Sequence, residues 1–219
     1  MSDLREKLLK VARALDAARL NTGTAGNVSV RTDNGMLITP SGMPSATCTP
    51  ANMVKVADDG TALGEHAPSS EWRMHRDIYR SRPEAGAIIH THAPFATALA
   101  CQRVGIPAFH YMVARFGGKD VRCAAYATFG TQALSDLILS ALESRNACLI
   151  ANHGMAVFGR DLDHALSLAI EFEALCEQYW RTLQLGAPVL LSDAEMAEVI
   201  ERFSWYGRPI MADSPPPAP

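Results

Sequence analysis

With 219 residues, 48% of them hydrophobic and 20% charged, the chain is sized for one globular domain with a substantial core and is too apolar for a disordered polymer. A formal net charge of −3 leaves no polybasic face for nucleic acid or for a membrane surface. Five scattered cysteines without a C-x-x-C pair read as reduced thiols. The opening MSDLREKLLK interleaves charges too early for a signal-peptide core, and no apolar run is long enough to span a bilayer, so the expected location is the cytoplasm.

Leu4, Leu8, Val11, Leu15 and Ala18 recur at helical spacing, with Asp3 and Glu6 set as a capping box. NVSVR and GMLIT read as strands joined tightly across TDNG, and MVKVA with TALG as a second hairpin around DDG. SSEWRMHRDIYRSR has hydroxyls for an N-cap, an acid in the first turn and arginines toward its end, which predicts a helix closed by Pro83. A buried strand AGAIIHTH, a helix opened by Pro94, strands in IPAFHYMVA and VRCAAYA, and a helix in TQALSDLILSALESR follow. NACLIANHG and MAVFG form a strand pair about Gly154, before a long helix from DLDHAL and a last one from SDAEMAEV. Hairpins interspersed with helices predict an α/β fold, a three-layer α/β/α sandwich with a mostly antiparallel central sheet. One domain is expected over residues 1–211, and a disordered proline-rich tail over 212–219.

Residues two apart on a strand face the same way, so His90 and His92 can aim at one point while Thr91 faces the other side. Taken alone, the pair also fits one locally bonded histidine and one exposed histidine. His153 closes another apolar strand just before a glycine, and strand ends are where side chains emerge into clefts. Three neutral imidazoles form a common set for catalytic zinc. His66, His75, His110 and His164 lack such pairing and read as structural or surface residues. Glu71 is a candidate acid or base, or simply a complement to a helix dipole. The hydroxyls of Ser69 and Ser70 beside it suit either an anion or a cap. GTAGNVSVR and TPSGMP bring backbone N–H groups near strand ends without forming a Walker A loop or a dinucleotide fingerprint.

In chain order GTAGNVSVR, LITPSGMP, SSEW, HTH and NHG, together with HYM, YATFGT and RFSWYG, resemble the class II aldolase/adducin family, nearest the zinc-dependent L-fuculose-1-phosphate aldolases. The resemblance implies one zinc ion per subunit on His90, His92 and His153, with Glu71 as acid/base. It implies a substrate phosphate held by Asn27, Ser41, Gly42, Ser69 and Ser70. Tyr111 from a neighbouring subunit and Tyr206 would act at the aldehyde end, which Phe129 and Phe203 would shape. A homotetramer with active sites at subunit interfaces is expected, acting on a phosphorylated ketose, with neither nucleic acid nor membrane as partner. The implied reaction is reversible cleavage of a ketose 1-phosphate, L-fuculose 1-phosphate or a 5-deoxy or 5-methylthio pentulose 1-phosphate, into dihydroxyacetone phosphate and an aldehyde. Methylthioribulose-1-phosphate dehydratases, epimerases and decarboxylases share the family, although the epimerases have aspartate where SSEW has Glu71. The adducin head represents a non-catalytic scaffold on the same fold.

Overall fold

The structure, a computed structural model, describes residues 2–205. One eight-stranded sheet has the order β4-β3-β2-β1-β5-β8-β7-β6. Its strands are β1 Asn27–Thr32, β2 Gly35–Ile38, β3 Val54–Val56, β4 Ala62–Leu63, β5 Ala87–Thr91, β6 Cys123–Ala124, β7 Ala147–Ile150 and β8 Gly154–Gly159. Every neighbouring pair is antiparallel except β6 with β7, as expected of a mostly antiparallel sheet. The helices are α1 Ser2–Ala17, α2 Trp72–Ser81, α3 Pro94–Ala100, α4 Gln132–Ala141, α5 Leu162–Leu185 and α6 Asp193–Trp205.

Strand alternation creates two cores. Ala87, Ile89, Leu149, Met155 and Val157 pack with Leu8 and Leu15 of α1, Leu99 of α3, and Leu168 and Phe172 of α5. Their neighbours Ile88, Cys148, Ile150, Ala156 and Phe158 pack instead with Met74 and Ile78 of α2 and Leu134 and Ile138 of α4. Helices therefore cover both faces, giving the three-layer sandwich. Each buried aliphatic contributes about 1.5–3 kcal/mol of apolar transfer, and the two-sided burial explains why β5 and β7 read as continuous apolar runs.

Local chemistry sets the ends. Thr131 Oγ1 accepts from Leu134 N at 3.2 Å, and Asp161 Oδ1 from His164 N at 2.7 Å, opening α4 and α5. Ser192 and Glu195 form the reciprocal capping pair of α6, with Ser192 N donating to Glu195 Oε2 at 2.7 Å and Glu195 N to Ser192 Oγ at 3.3 Å. The β1–β2 hairpin pairs Thr32 with Gly35 across Asp33 and Asn34. Gly35 has φ +118°, and a Cβ there would sit 2.1 Å from Val56 O, so only glycine lets β3 approach.

Three expectations are corrected. IPAFHYMVA and VRCAAYA are not full strands: a single bridge joins Ile106 to Val121, Tyr111–Phe116 winds as a 3-10 segment, and only Cys123–Ala124 pairs in the sheet. His110 drives the 3-10 turn by accepting from Met112 N at 3.2 Å. Asp3 lies inside α1 rather than capping it, and pairs with Lys7 at 3.0 Å one turn on. The N-cap position of α2 is Glu71 instead of a serine, and its carboxylate makes no capping bond because it turns into the protein.

Candidate active site

β5 lies between β1 and β8, with His90 opposite Asn27 on one side and Ala156 on the other. Paired residues share a face, so His90, Asn27 and Ser29 all point toward α2. His92 stands one residue beyond β5, and His153 closes the turn from β7 to β8. That turn needs αL geometry at Asn152, with φ 54°, and a glycine at 154, where a Cβ would lie 2.3 Å from Thr91 O. The three rings meet edge to face, with centroids 4.7 to 5.0 Å apart and candidate ligand nitrogens within 4.8 Å of one another.

The donor chemistry fits a divalent cation. His90 Nδ1 lies 2.8 Å from Met155 O, which can only accept, so that nitrogen carries the hydrogen and Nε2 is left to take either a proton or a metal ion. His90 Nε2 faces His92 Nε2 at 3.1 Å, a separation at which two lone pairs repel unless a proton or a metal ion stands between them. Zinc–nitrogen bonds of about 2.0–2.1 Å are compatible with that spacing. Burial lowers His153 to about 4 and also lowers His92, in each case helped by the charge of a protonated His90, which favours neutral, ligating imidazoles.

Glu71 is 7% exposed. Its Oε2 lies 3.1 Å from His90 Nε2 and its Oε1 lies 3.4 Å from His153 Nε2. Asn27 Nδ2 donates to Oε2 at 2.9 Å. Burial would push this carboxyl up, but the imidazoles that face it, His90 foremost, and the Asn27 amide outweigh it and hold Glu71 well below the usual carboxylate range. His90 responds in the opposite sense: burial disfavours its charge, and the Glu71 carboxylate overcomes that and raises it. The result is an ionised carboxylate beside a site built for positive charge.

A cleft of about 360 Å³ opens over these groups, lined by residues 24–27, 40–42 and 69–71, by His92, Asn152 and His153, and by Tyr126, Ala127 and Phe129. No lysine or arginine appears among these described lining residues. The two hydroxyl-bearing loops are tied together by the Pro40–Pro68 bridge, with Ser41 N donating to Ala67 O at 3.0 Å and Ser69 N to Thr39 O at 3.1 Å. Ser41, Gly42 and Ser70 are exposed in the cleft, while Ser69 is buried and its hydroxyl accepts from Glu71 N at 3.3 Å. The Asn27 amide oxygen and one amide hydrogen are committed to His75 and Glu71, leaving the second hydrogen for a ligand.

Phe129, 62% exposed, forms part of the same cleft, but Tyr111 and Phe203 do not. These two stack at 6.4 Å and 13° in a separate groove of about 880 Å³ with Arg115 and Trp205. Tyr206 lies outside the described residues. The sequence reading did not single out Tyr126 or Asn152, which line the cleft, and it placed His75 among the structural histidines. The signal for His75 was its position one helical turn after Glu71.

Comparison with known proteins agrees with this geometry. Residues 6–180 match the model of the Class II Aldolase and Adducin N-terminal domain. A 5-methylthioribulose-1-phosphate/5-deoxyribulose-1-phosphate aldolase of Rhodospirillum rubrum is 52% identical over 213 residues, covering 97% of this chain and 96% of that protein. An L-fuculose phosphate aldolase of Escherichia coli is 44% identical over 205 residues, covering 93% and 95%. A solved L-fuculose 1-phosphate aldolase superposes with a TM-score of 0.90 at 40% identity, covering 93% of this chain and 97% of its own. These relatives are aldolases by name, which supports an enzyme of that kind. The chain belongs to the class II aldolase and adducin family.

Proposed function

We propose that the protein is a zinc-dependent aldolase that reversibly cleaves a ketose 1-phosphate into dihydroxyacetone phosphate and an aldehyde. The observation that carries this reading is one ionised carboxylate, Glu71, lying 3.1 and 3.4 Å from two of three convergent imidazoles at the floor of a hydroxyl-lined cleft. Zinc held by His90, His92 and His153 would supply the Lewis acidity that draws off the negative charge left when the C3–C4 bond breaks. Ser41, Gly42, Ser69, Ser70 and the remaining Asn27 amide hydrogen hold the phosphate end and fix the fragment's orientation. Glu71 removes a proton from the hydroxymethyl carbon of dihydroxyacetone phosphate in the condensation direction and returns it in cleavage.

Phe129 and Tyr126 offer an apolar wall to the aldehyde. With relatives named for 5-methylthioribulose and 5-deoxyribulose 1-phosphates as well as for fuculose phosphate, the substrate class is a ketose 1-phosphate whose far end is short on hydroxyls. Tyr111 and Phe203, remote from the cleft of their own chain, serve a neighbouring copy in a cytoplasmic homotetramer, where Tyr111 exchanges the proton of the aldehyde oxygen; Tyr206 closes the same end. The test follows dihydroxyacetone phosphate release from fuculose, rhamnulose, 5-deoxyribulose and methylthioribulose 1-phosphates, with and without a chelator. Release that is lost with the metal and regained with zinc is expected. A metal-loaded protein that consumes one of these sugars without releasing dihydroxyacetone phosphate would move the reaction to dehydration or epimerisation, which product analysis separates.

A further inference from the structure

A chain of side-chain hydrogen bonds runs from the last turn of α2 back to Glu71. The Tyr79 hydroxyl lies 2.8 Å from Ser29 Oγ, Ser29 Oγ lies 2.7 Å from His75 Nδ1, and His75 Nε2 lies 2.5 Å from Asn27 Oδ1. Asn27 Nδ2 then reaches Glu71 Oε2 at 2.9 Å. Ser29 and His75 are fully buried, and neither they nor Tyr79 line the cleft.

The chemistry of each group fixes every donor. The Asn27 amide turns its NH₂ toward Glu71 and its oxygen toward His75. That oxygen only accepts, so His75 Nε2 carries the hydrogen. In a neutral imidazole Nδ1 is then the acceptor, so the Ser29 hydroxyl donates to it and takes its own bond from Tyr79. Burial, assisted by a charged His90 and opposed by Glu71, lowers His75 to about 3, consistent with a neutral ring. Had the network served only to satisfy buried polar atoms, its direction would be immaterial, and an apolar set of similar volume would cost less. The direction has a consequence only at its end, where reversal would point the Asn27 carbonyl at the carboxylate.

We propose that His75 is a positioning residue: held as the Nε2–H tautomer by Ser29 and Tyr79, it orients the Asn27 amide toward Glu71 and so fixes the carboxylate that moves the proton. The identity of that proton rests on the aldolase reading above, whereas the tautomer and the amide orientation do not. Carboxylate placement is what a positioned base depends on, and removing an outer partner of this kind lowers activity by about 10- to 100-fold.

The experiment uses the zinc-loaded full-length protein with ¹⁵N-labelled histidine. Near neutral pH, His75 should show one protonated and one unprotonated ring nitrogen, with Nε2 protonated, assigned by loss of those signals in His75→Gln. An Nδ1–H tautomer or an imidazolium overturns the proposal. Ser29→Ala should mix the tautomers and lower kcat about tenfold, with zinc per chain unchanged. Unchanged kcat with mixed tautomers overturns the positioning role, as does a loss of kcat that merely tracks lost zinc or lost fold. If Ser29→Ala does not fold, Tyr79→Phe, which deletes only the terminal hydroxyl, carries the same comparison. A wild-type chain that holds the Nε2–H tautomer but turns over no ketose 1-phosphate supports the relay and overturns the reaction. Turnover with the opposite tautomer does the reverse.

Discussion

Glu71 occupies a helix-cap position but does not cap. Its carboxylate faces the histidines, so the α2 terminus forgoes a side-chain bond worth about 1 kcal/mol while the carboxylate is held against the candidate ligands. Glu71→Gln should retain the fold and the zinc while kcat falls by about 10²–10⁴-fold, the range expected for loss of a positioned acid/base; metal analysis beside steady-state kinetics checks it, and a drop under tenfold would remove Glu71 from the proton transfer. His75 carries a stability consequence of its own. Its folded pKa is depressed from 6.5 to about 3, so below 6.5 the unfolded chain takes a proton that the folded one refuses. Stability tied to this ring is therefore complete above pH 6.5 and is lost as pH falls toward about 3, with a slope of about one proton. Denaturant titrations at mildly acidic pH should show that slope shrink by about one proton in His75→Gln; an unchanged slope would show that His75 is already charged in the fold. The convergence of His90, His92 and His153 was legible because their spacing and strand-end context carry the signal, whereas Glu71 was set apart from a plain dipole complement only by the family resemblance of SSEW. The engagement of Asn27 with Glu71 was not legible, since nothing in GTAGNVSVR reveals that β1 sets its first side chain against α2.

At the turn from β7 to β8, Gly154 has no room for a methyl group: the Cβ would sit 2.3 Å from Thr91 O and 3.1 Å from His92 Cδ2. Gly154→Ala must push β8 from β5 and move His153 relative to His92. We expect a loss of about 1–3 kcal/mol in stability and faster zinc release to a chelator; calorimetry and a chelator competition measure these, and unchanged zinc retention would show that the turn does not set the ligand geometry. Patterns that depend on near neighbours were readable, including the β1–β2 hairpin, the Pro94 opening of α3 and the Ser192 cap of α6. The segment 105–126 was not. Ile106, Val113, Phe116 and Val121 are buried beside α5 residues such as Phe172, so their apolar spacing records packing under a helix rather than alternation in a sheet. Glu173 shows the same dependence on distant partners: its carboxylate caps α3 by accepting from Phe95 N at 2.7 Å and Ala96 N at 2.9 Å, across 78 and 77 residues of chain.

The separation of Tyr111 from the histidine cleft makes assembly a chemical question. If Tyr111 serves a neighbouring copy, Glu71→Gln and Tyr111→Ala chains, each impaired alone, should recover activity when dissociated and reassembled together, because some interfaces then unite an intact Glu71 with an intact Tyr111. Kinetics on the reassembled mixture against each parent test this. Absence of recovery in proven mixed assemblies, or a fully active monomer on dilution, would return Tyr111 to a packing role.

Every candidate ligand, the carboxylate and its relay lie between Asn27 and His153, whereas α5 and α6 follow from Leu162 onward. The outer groove draws on both parts of the chain, with Tyr111 and Arg115 from the earlier part and Glu171, Phe203 and Trp205 from the later one. Substitutions accumulating in the later part can reshape that groove without disturbing an imidazole. If that groove serves a neighbouring copy as proposed, a lineage built this way could change its sugar through inherited changes in its last two helices while the bond broken stays the same.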